Sequence, residues 1–198
     1  MIKTLTFALC AAALVPGAAM AASPDAIPAG AYNVDTNHTQ ALFQVNHMGF
    51  SEYNGVISGV TGALMLDPAN PSADTLDVVL PVSTISTTSA KLDEELKDPT
   101  WLDAAQFPNI HFVATKVTKT GAHTALIAGN LTLHGVTRPV VLDARFVGAG
   151  ANPMSKAYTV GFAASAVIKR SDFGVTKYVP LIGDEVTLKI NAAFEKQG

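Results

Sequence analysis

The stretch EVTLKINAAFE, residues 185–195, decides the fold class. Val186, Leu188, Ile190, Ala192 and Phe194 alternate with Glu185, Thr187, Lys189, Asn191 and Glu195. A period of two puts the first set on an apolar face and the second in water, which predicts a strand wet on one side. AYTVGFAASAVIK, 157–169, carries the same row through Tyr158, Val160, Phe162, Ala164, Ala166 and Ile168. In HTQALFQVNHMGF, 38–50, Ala41, Phe43, Val45 and His47 share one face, and Gln40, Leu42, Gln44 and Asn46 the other. Shorter alternations place Leu76, Val78, Leu80 and Val82 on one side of 75–85, and Ile110 and Phe112 opposite His111.

Turn signals separate these runs. His134-Gly135 between Leu133 and Val136 predicts a tight hairpin, and Thr120-Gly121-Ala122 predicts another. Pro139 is expected at a strand start, where its missing donor is tolerated. One helix interrupts the pattern. Thr87, Thr88 and Ser89 open it, Leu92 and Leu96 share a face, and Pro99 stops it. Asp93, Glu94 and Glu95 are expected on its solvated face. Trp101, Leu102 and Phe107 then read as apolar anchors. The total is eight or nine mostly antiparallel strands. Strands longer than ten residues favour a closed barrel over a sandwich, because closure removes exposed edges.

The N-terminus reads differently. Lys3, an apolar run from Leu5 to Val15, and Ala19-Met20-Ala21 predict a cleaved signal peptide at 1–21. That run is shorter than the roughly 20 residues a membrane span needs, so no span is expected after cleavage. A flexible lead-in is expected at 22–29 and one domain at 30–196. The single cysteine, Cys10, falls inside the leader, so the exported domain must rest on its core without disulfides. Losing Lys3 leaves 12 basic against 16 acidic residues. That balance argues against nucleic acid as a partner.

Chemistry-bearing motifs are sparse. His38 and His47 lie about 30 Å apart along an extended strand and face opposite ways, so they are not a metal pair. No His-x-His, His-Glu-x-x-His or G-x-S-x-G motif is present, and no catalytic residues are assigned. In KRSDFG, 169–174, Arg170 reads either as the partner of Asp172 or as a mouth residue meeting a ligand's polar head. The apolar rows leave two readings open: a core filled by side chains, or a tube holding an apolar ligand.

Seven segments in order resemble the YceI-like family of exported, lipocalin-like, polyisoprenoid-binding proteins. They are Tyr32-x-Val34-Asp35-x-x-His38, Phe43-x-Val45-x-His47-x-Gly49, Val82-x-x-Ile85-x-Thr87, and Leu92-Asp93-x-x-Leu96-Lys97. After these come Trp101-Leu102-Asp103 with Phe107-Pro108-x-Ile110-x-Phe112, Gly129-x-Leu131-Thr132-Leu133-His134-Gly135-Val136-Thr137, and Arg170-Ser171-Asp172-Phe173-Gly174. The resemblance implies an extended eight-stranded antiparallel barrel with a long apolar pocket; the helix read above then forms one short excursion from it, at about 88–103. It implies a periplasmic or secreted protein that binds a long-chain amphiphile: a polyisoprenoid lipid, an isoprenoid quinone or a fatty-acid derivative. It implies no catalysis, no cofactor beyond such a lipid, and homodimers among its members. Glu95 departs from it, standing where a histidine is frequent. By parity, Phe43, Val45, His47, Val78, Leu80, Phe112, Val160 and Phe162 are the expected tube lining, with Arg170 the candidate at the mouth. The rival readings are a histidine-based metal site or enzyme, and an envelope-stress scaffold acting through its surface.

Overall fold

The computed structural model describes residues 27–198; the expected leader and residues 22–26 of the lead-in lie outside them. The strands are β1 (Gly30–Val34), β2 (Gln40–His47), β3 (Ser51–Ile57), β4 (Thr61–Leu66), β5 (Thr75–Pro81), β6 (Asn109–Lys119), β7 (Thr124–Leu133), β8 (Val136–Ala151), β9 (Tyr158–Lys169) and β10 (Ile182–Lys196). The helix α1 (Ala90–Lys97) follows β5.

These ten strands make eight staves. β1 and β2 both run antiparallel to β10, one beside Phe194–Lys196 and the other beside Ile182–Asn191. They are one stave broken at 35–39. β4 pairs with β1 and β3 with β2, so 51–66 is a second stave broken at 58–60. From β4 onward each strand pairs antiparallel with the next through β10. The β1–β10 pairing closes the ring. This is the closed eight-stranded antiparallel barrel that the family resemblance implied and that the long alternating strands favoured.

At the first break, side chain replaces ladder. Asp35 N and Thr39 Oγ1 both donate to Ala193 O (2.8 and 3.2 Å), and Ala193 N donates back to Thr39 Oγ1 at 3.0 Å. Thr39 is buried, so these bonds satisfy groups that water cannot reach. The His134-Gly135 hairpin forms as expected, with φ of 51° and 74°. Two consecutive positive φ values give the twist of a type I′ turn, and glycine takes the second at no steric cost.

Three local expectations need correction. Pro139 lies within β8, opposite Asn130, not at its start. The β8–β9 ladder begins only at Asp143, so the missing N–H interrupts nothing on that side. β5 ends at Pro81 and not Ile85: residues 82–84 form a 3₁₀ turn, and Ser86 then bridges to Val56. Within the lead-in, Ile27 is buried among Tyr32, Leu64, Phe146 and Phe194, and Tyr32 Oη donates to Pro28 O at 2.6 Å. That end of the segment is tied down by apolar burial.

α1 starts where the sequence places it. Ser89 Oγ accepts from Leu92 N at 3.4 Å, and Asp93 Oδ1 accepts from Thr87 N and Thr87 Oγ1, both at 2.6 Å. The first bond satisfies an orphan donor of the helix start, and the other two tie the preceding turn to the helix. Asp93 is therefore a capping residue and not part of a free acidic face. The helix buries no residue fully, but Leu92 and Leu96 turn toward the barrel end and cover it.

Candidate functional site

The inward rows do not fill the barrel. Three apolar cavities of about 460, 160 and 180 Å³ follow one another along it. The largest lies under α1 and the Trp101–Leu102 turn, and is the mouth cavity. It shares Phe43, Ile57, Ile110, Leu133, Ile168 and Leu188 with the middle cavity. The middle one shares Leu76, Leu142, Ile190, Ala192 and Phe194 with the far cavity, which reaches the 121–124 turn and Pro68–Asp74. Small side chains at Ala41, Ala164 and Ala192 leave this space open, since opposing walls of larger residues would close it.

The expected lining residues are distributed along this series. Val45 and His47 line the mouth cavity, and Phe43 lines both mouth and middle. Val78, Leu80 and Phe112 line the middle cavity, and Phe162 the far one. Val160 is a correction. It is 0 % exposed, is packed in the cluster of Tyr32, Leu64 and Phe146, and lines none of the three. Its row faces inward as parity requires, but its neighbours leave no gap there.

Arg170 stands at the mouth cavity but is 5 % exposed. Nε donates to Gly183 O (2.9 Å), Nη1 to Val175 O (2.9 Å) and Nη2 to Ile182 O (2.8 Å). Its guanidinium carbon lies 5.4 Å from the Trp101 ring centroid. Burial pulls its pKa down, and the charge of Asp184 partly opposes this. No ion pair joins it to Asp172. Asp184 itself accepts from Ser171 N and Oγ (2.9 and 2.8 Å). Burial would raise the Asp184 pKa, but those bonds and the nearby cations outweigh it and hold the carboxyl below its usual range. Arg170 is thus the clamp of the 170–183 segment.

Glu95, a third exposed, is drawn from the solvated face toward the mouth cavity. Its Oε1 accepts from Trp101 Nε1 and from Lys177 Nζ, each at 3.2 Å. The Lys177 bond, then the Trp101 bond, lowers its pKa. Lys177 also donates to Thr100 Oγ1 at 3.0 Å, and sits 5.4 Å from the Trp101 centroid and 5.2 Å from that of Tyr178. Sequence reading missed Glu95, Lys177 and Tyr178 as mouth residues. One signal was available: Glu95 is three residues after Leu92, on the same side of the helix as the Leu92/Leu96 pair. Lys177 and Tyr178 lie in an irregular loop with no periodicity to read.

The histidines disperse. His38 Nδ1 is bonded to Asp35 Oδ2 (2.6 Å), His111 Nε2 to Asp77 Oδ1 (2.7 Å) and His134 Nδ1 to Phe173 O (3.2 Å), while His123 stacks on Phe146. Among the described residues, no three His, Cys, Asp or Glu side chains gather as a metal-holding group, and no helix is long and apolar enough to cross a membrane.

Two predictions arise from the tube. Gly55 pairs with Phe43 across β2–β3, and a Cβ at Gly55 would overlap the Phe43 ring. Gly55→Val is expected to push that ring into the tube and cost about 1–3 kcal/mol, the usual range for overpacking. A urea denaturation midpoint unchanged from the parent protein would refute this. At the far cavity, burial, together with the charge of Asp67 and despite the bond from Asp67 N, pushes the half-buried Asp74 up to about 6. Its folded pKa exceeds the unfolded value, so the folded state holds the extra proton. Asp74 therefore makes stability fall as pH rises from about 4 to about 6, by on the order of 1 kcal/mol once solvent screening is allowed for. Asp74→Asn is expected to remove that slope in melting temperature against pH. Curves that remain parallel across the window would exclude it.

Comparison with known proteins fits this geometry. The YceI-like domain model matches residues 32–194. The chain belongs to the YceI-like family. YceI-like relatives include the UPF0312 protein of Pseudomonas savastanoi pv. phaseolicola, 34% identical over 186 residues, covering 93% of this chain and 94% of the relative. The Yersinia pestis UPF0312 protein is 35% identical over 174 residues, covering 87% and 89%. Among solved structures, Burkholderia cenocepacia BcnA superposes with a TM-score of 0.73 at 21% identity, covering 81% of this chain and 98% of that one. The Campylobacter jejuni YCEI protein gives 0.68 at 25%, covering 77% and 90%. A polyisoprenoid binding domain from Saccharophagus degradans gives 0.63 at 12%, covering 84% and 98%.

Proposed function

We propose that this YceI-like protein binds a long-chain amphiphile of the polyisoprenoid class in its barrel, as cargo and without catalysis, in the periplasm. The observation that carries the reading is the series of three abutting apolar cavities along the barrel. A branched hydrocarbon chain suits such a series, because each CH₂ withdrawn from water contributes about 0.8 kcal/mol. The cavity lining and the polyisoprenoid-binding domain among the structural neighbours support the ligand class. The Lys3, Leu5–Val15, Ala19-Met20-Ala21 pattern supports export. The test is native mass spectrometry of protein purified from a lysate that contains membranes, followed by solvent extraction. A co-purifying amphiphile, or uptake of added prenyl alcohol or quinone, is the expected result. Repeated recovery of empty protein that takes up neither overturns the reading.

A further inference from the structure

The mouth cavity restricts the head its ligand can carry. Among its described lining residues two bear formal charges of opposite sign, Glu95 and Arg170. Both are already engaged: Glu95 accepts from Trp101 and Lys177, and Arg170 donates one N–H each from Nε, Nη1 and Nη2 to three backbone carbonyls. The Tyr53 hydroxyl shares a hydrogen bond with Thr88 Oγ1 at 3.1 Å. His47 is different. It lines the cavity from the end of β2; its backbone carbonyl accepts from Phe50 N, but its imidazole forms no hydrogen bond to a described residue, and its one ring contact is Tyr53, at 6.3 Å between centroids.

We propose that this cavity selects an amphiphile with an uncharged polar head, an alcohol or a carbonyl, and that the His47 imidazole hydrogen-bonds that head. This rests on the lipid-binding reading above. An anionic head drawn into an apolar cavity needs a cation to replace its lost hydration. An anionic head on Lys177 would have to share that one ammonium with Glu95, placing two negative groups side by side. Arg170 is 5 % exposed, with three of its five N–H groups on the carbonyls of Gly183, Val175 and Ile182 and its face over Trp101, so little of the guanidinium is left to meet a charged head. A hydroxyl or carbonyl head asks for neither. Imidazole can donate from one nitrogen and accept at the other, so it serves either head without moving a charge.

Trp101 is the chain's one tryptophan and lines the cavity, so its fluorescence reports occupancy. The experiment titrates the protein at neutral pH with geranylgeraniol and with geranylgeranyl diphosphate, which share one tail. The alcohol is expected to bind at least about tenfold more tightly, the affinity ratio of about 1.4 kcal/mol. His47→Phe keeps an aromatic ring and removes both nitrogens. It is expected to weaken the alcohol about 2- to 10-fold, the worth of one net hydrogen bond, and to leave the diphosphate unchanged. A diphosphate that binds as tightly as the alcohol overturns the head-group selection and leaves the lipid reading standing. Undiminished alcohol binding by His47→Phe overturns the role of His47. Silence toward both ligands, confirmed by native mass spectrometry, overturns the lipid reading and this inference with it.

Discussion

Arg170→Met is expected to lower the midpoint of thermal unfolding by about 6–16 °C. The buried guanidinium satisfies the carbonyls of Val175, Ile182 and Gly183 at once, and its face lies over Trp101. Methionine fills much of the volume but donates nothing, so three carbonyls lose their donor. Hydrogen bonds to a charged group contribute about 1.5–3 kcal/mol each but are not additive, so about 3–4 kcal/mol in total is a conservative figure. A chain of this length shifts by about 2–4 °C per kcal/mol. Arg170→Lys is expected to recover less than half of the loss, because a point charge cannot fork to three fixed acceptors. Circular dichroism melts of the three proteins decide it. A fall of under about 2 °C for Arg170→Met would show that the segment does not depend on the clamp.

Leu188→Trp is expected to leave the barrel folded and to cut affinity for a long prenyl chain about a thousandfold. Leu188 lines both the mouth and the middle cavity. A larger side chain there meets empty space before it meets wall, so the overpacking cost is small. It closes the passage, and a ligand then keeps only the part of its tail in the mouth. Excluding about five methylene equivalents forfeits about 4 kcal/mol at about 0.8 kcal/mol each, close to three decades in affinity. Calorimetric titration with prenyl alcohols of increasing length tests this directly. The parent protein should gain affinity with each added unit, while the variant should stop gaining once the mouth is full. A variant whose affinity climbs with length as the parent's does would show that the chain does not pass Leu188.

Parity along the strands was legible because side-chain direction alternates with the backbone alone, whatever lies opposite. Phe43, Val45, Val78 and Phe162 face the interior as read. The α1 boundaries were legible because Ser89 and Pro99 act within a turn of themselves. Val160 shows where such reading ends: alternation sends it inward but cannot say whether a void or Tyr32 awaits it. Glu95 shows the same limit from the polar side. Its helix position is local, but the Lys177 that draws it to the mouth is 82 residues away.

The sequence by itself determined the antiparallel strands, their inward rows and the hairpin turn at His134-Gly135, because each depends on side chains within one strand or one turn, and the order of its motif segments indicated the family and with it the barrel. Only the tertiary structure decided how the barrel is used. Whether the interior is solid or hollow depends on side-chain volumes meeting across eight staves, and no single stave contains that information. Whether Arg170 is a free mouth cation or a clamp depends on where the 175–183 loop returns its carbonyls. That return leaves His47, an ordinary inward residue by parity, as the mouth's uncommitted imidazole.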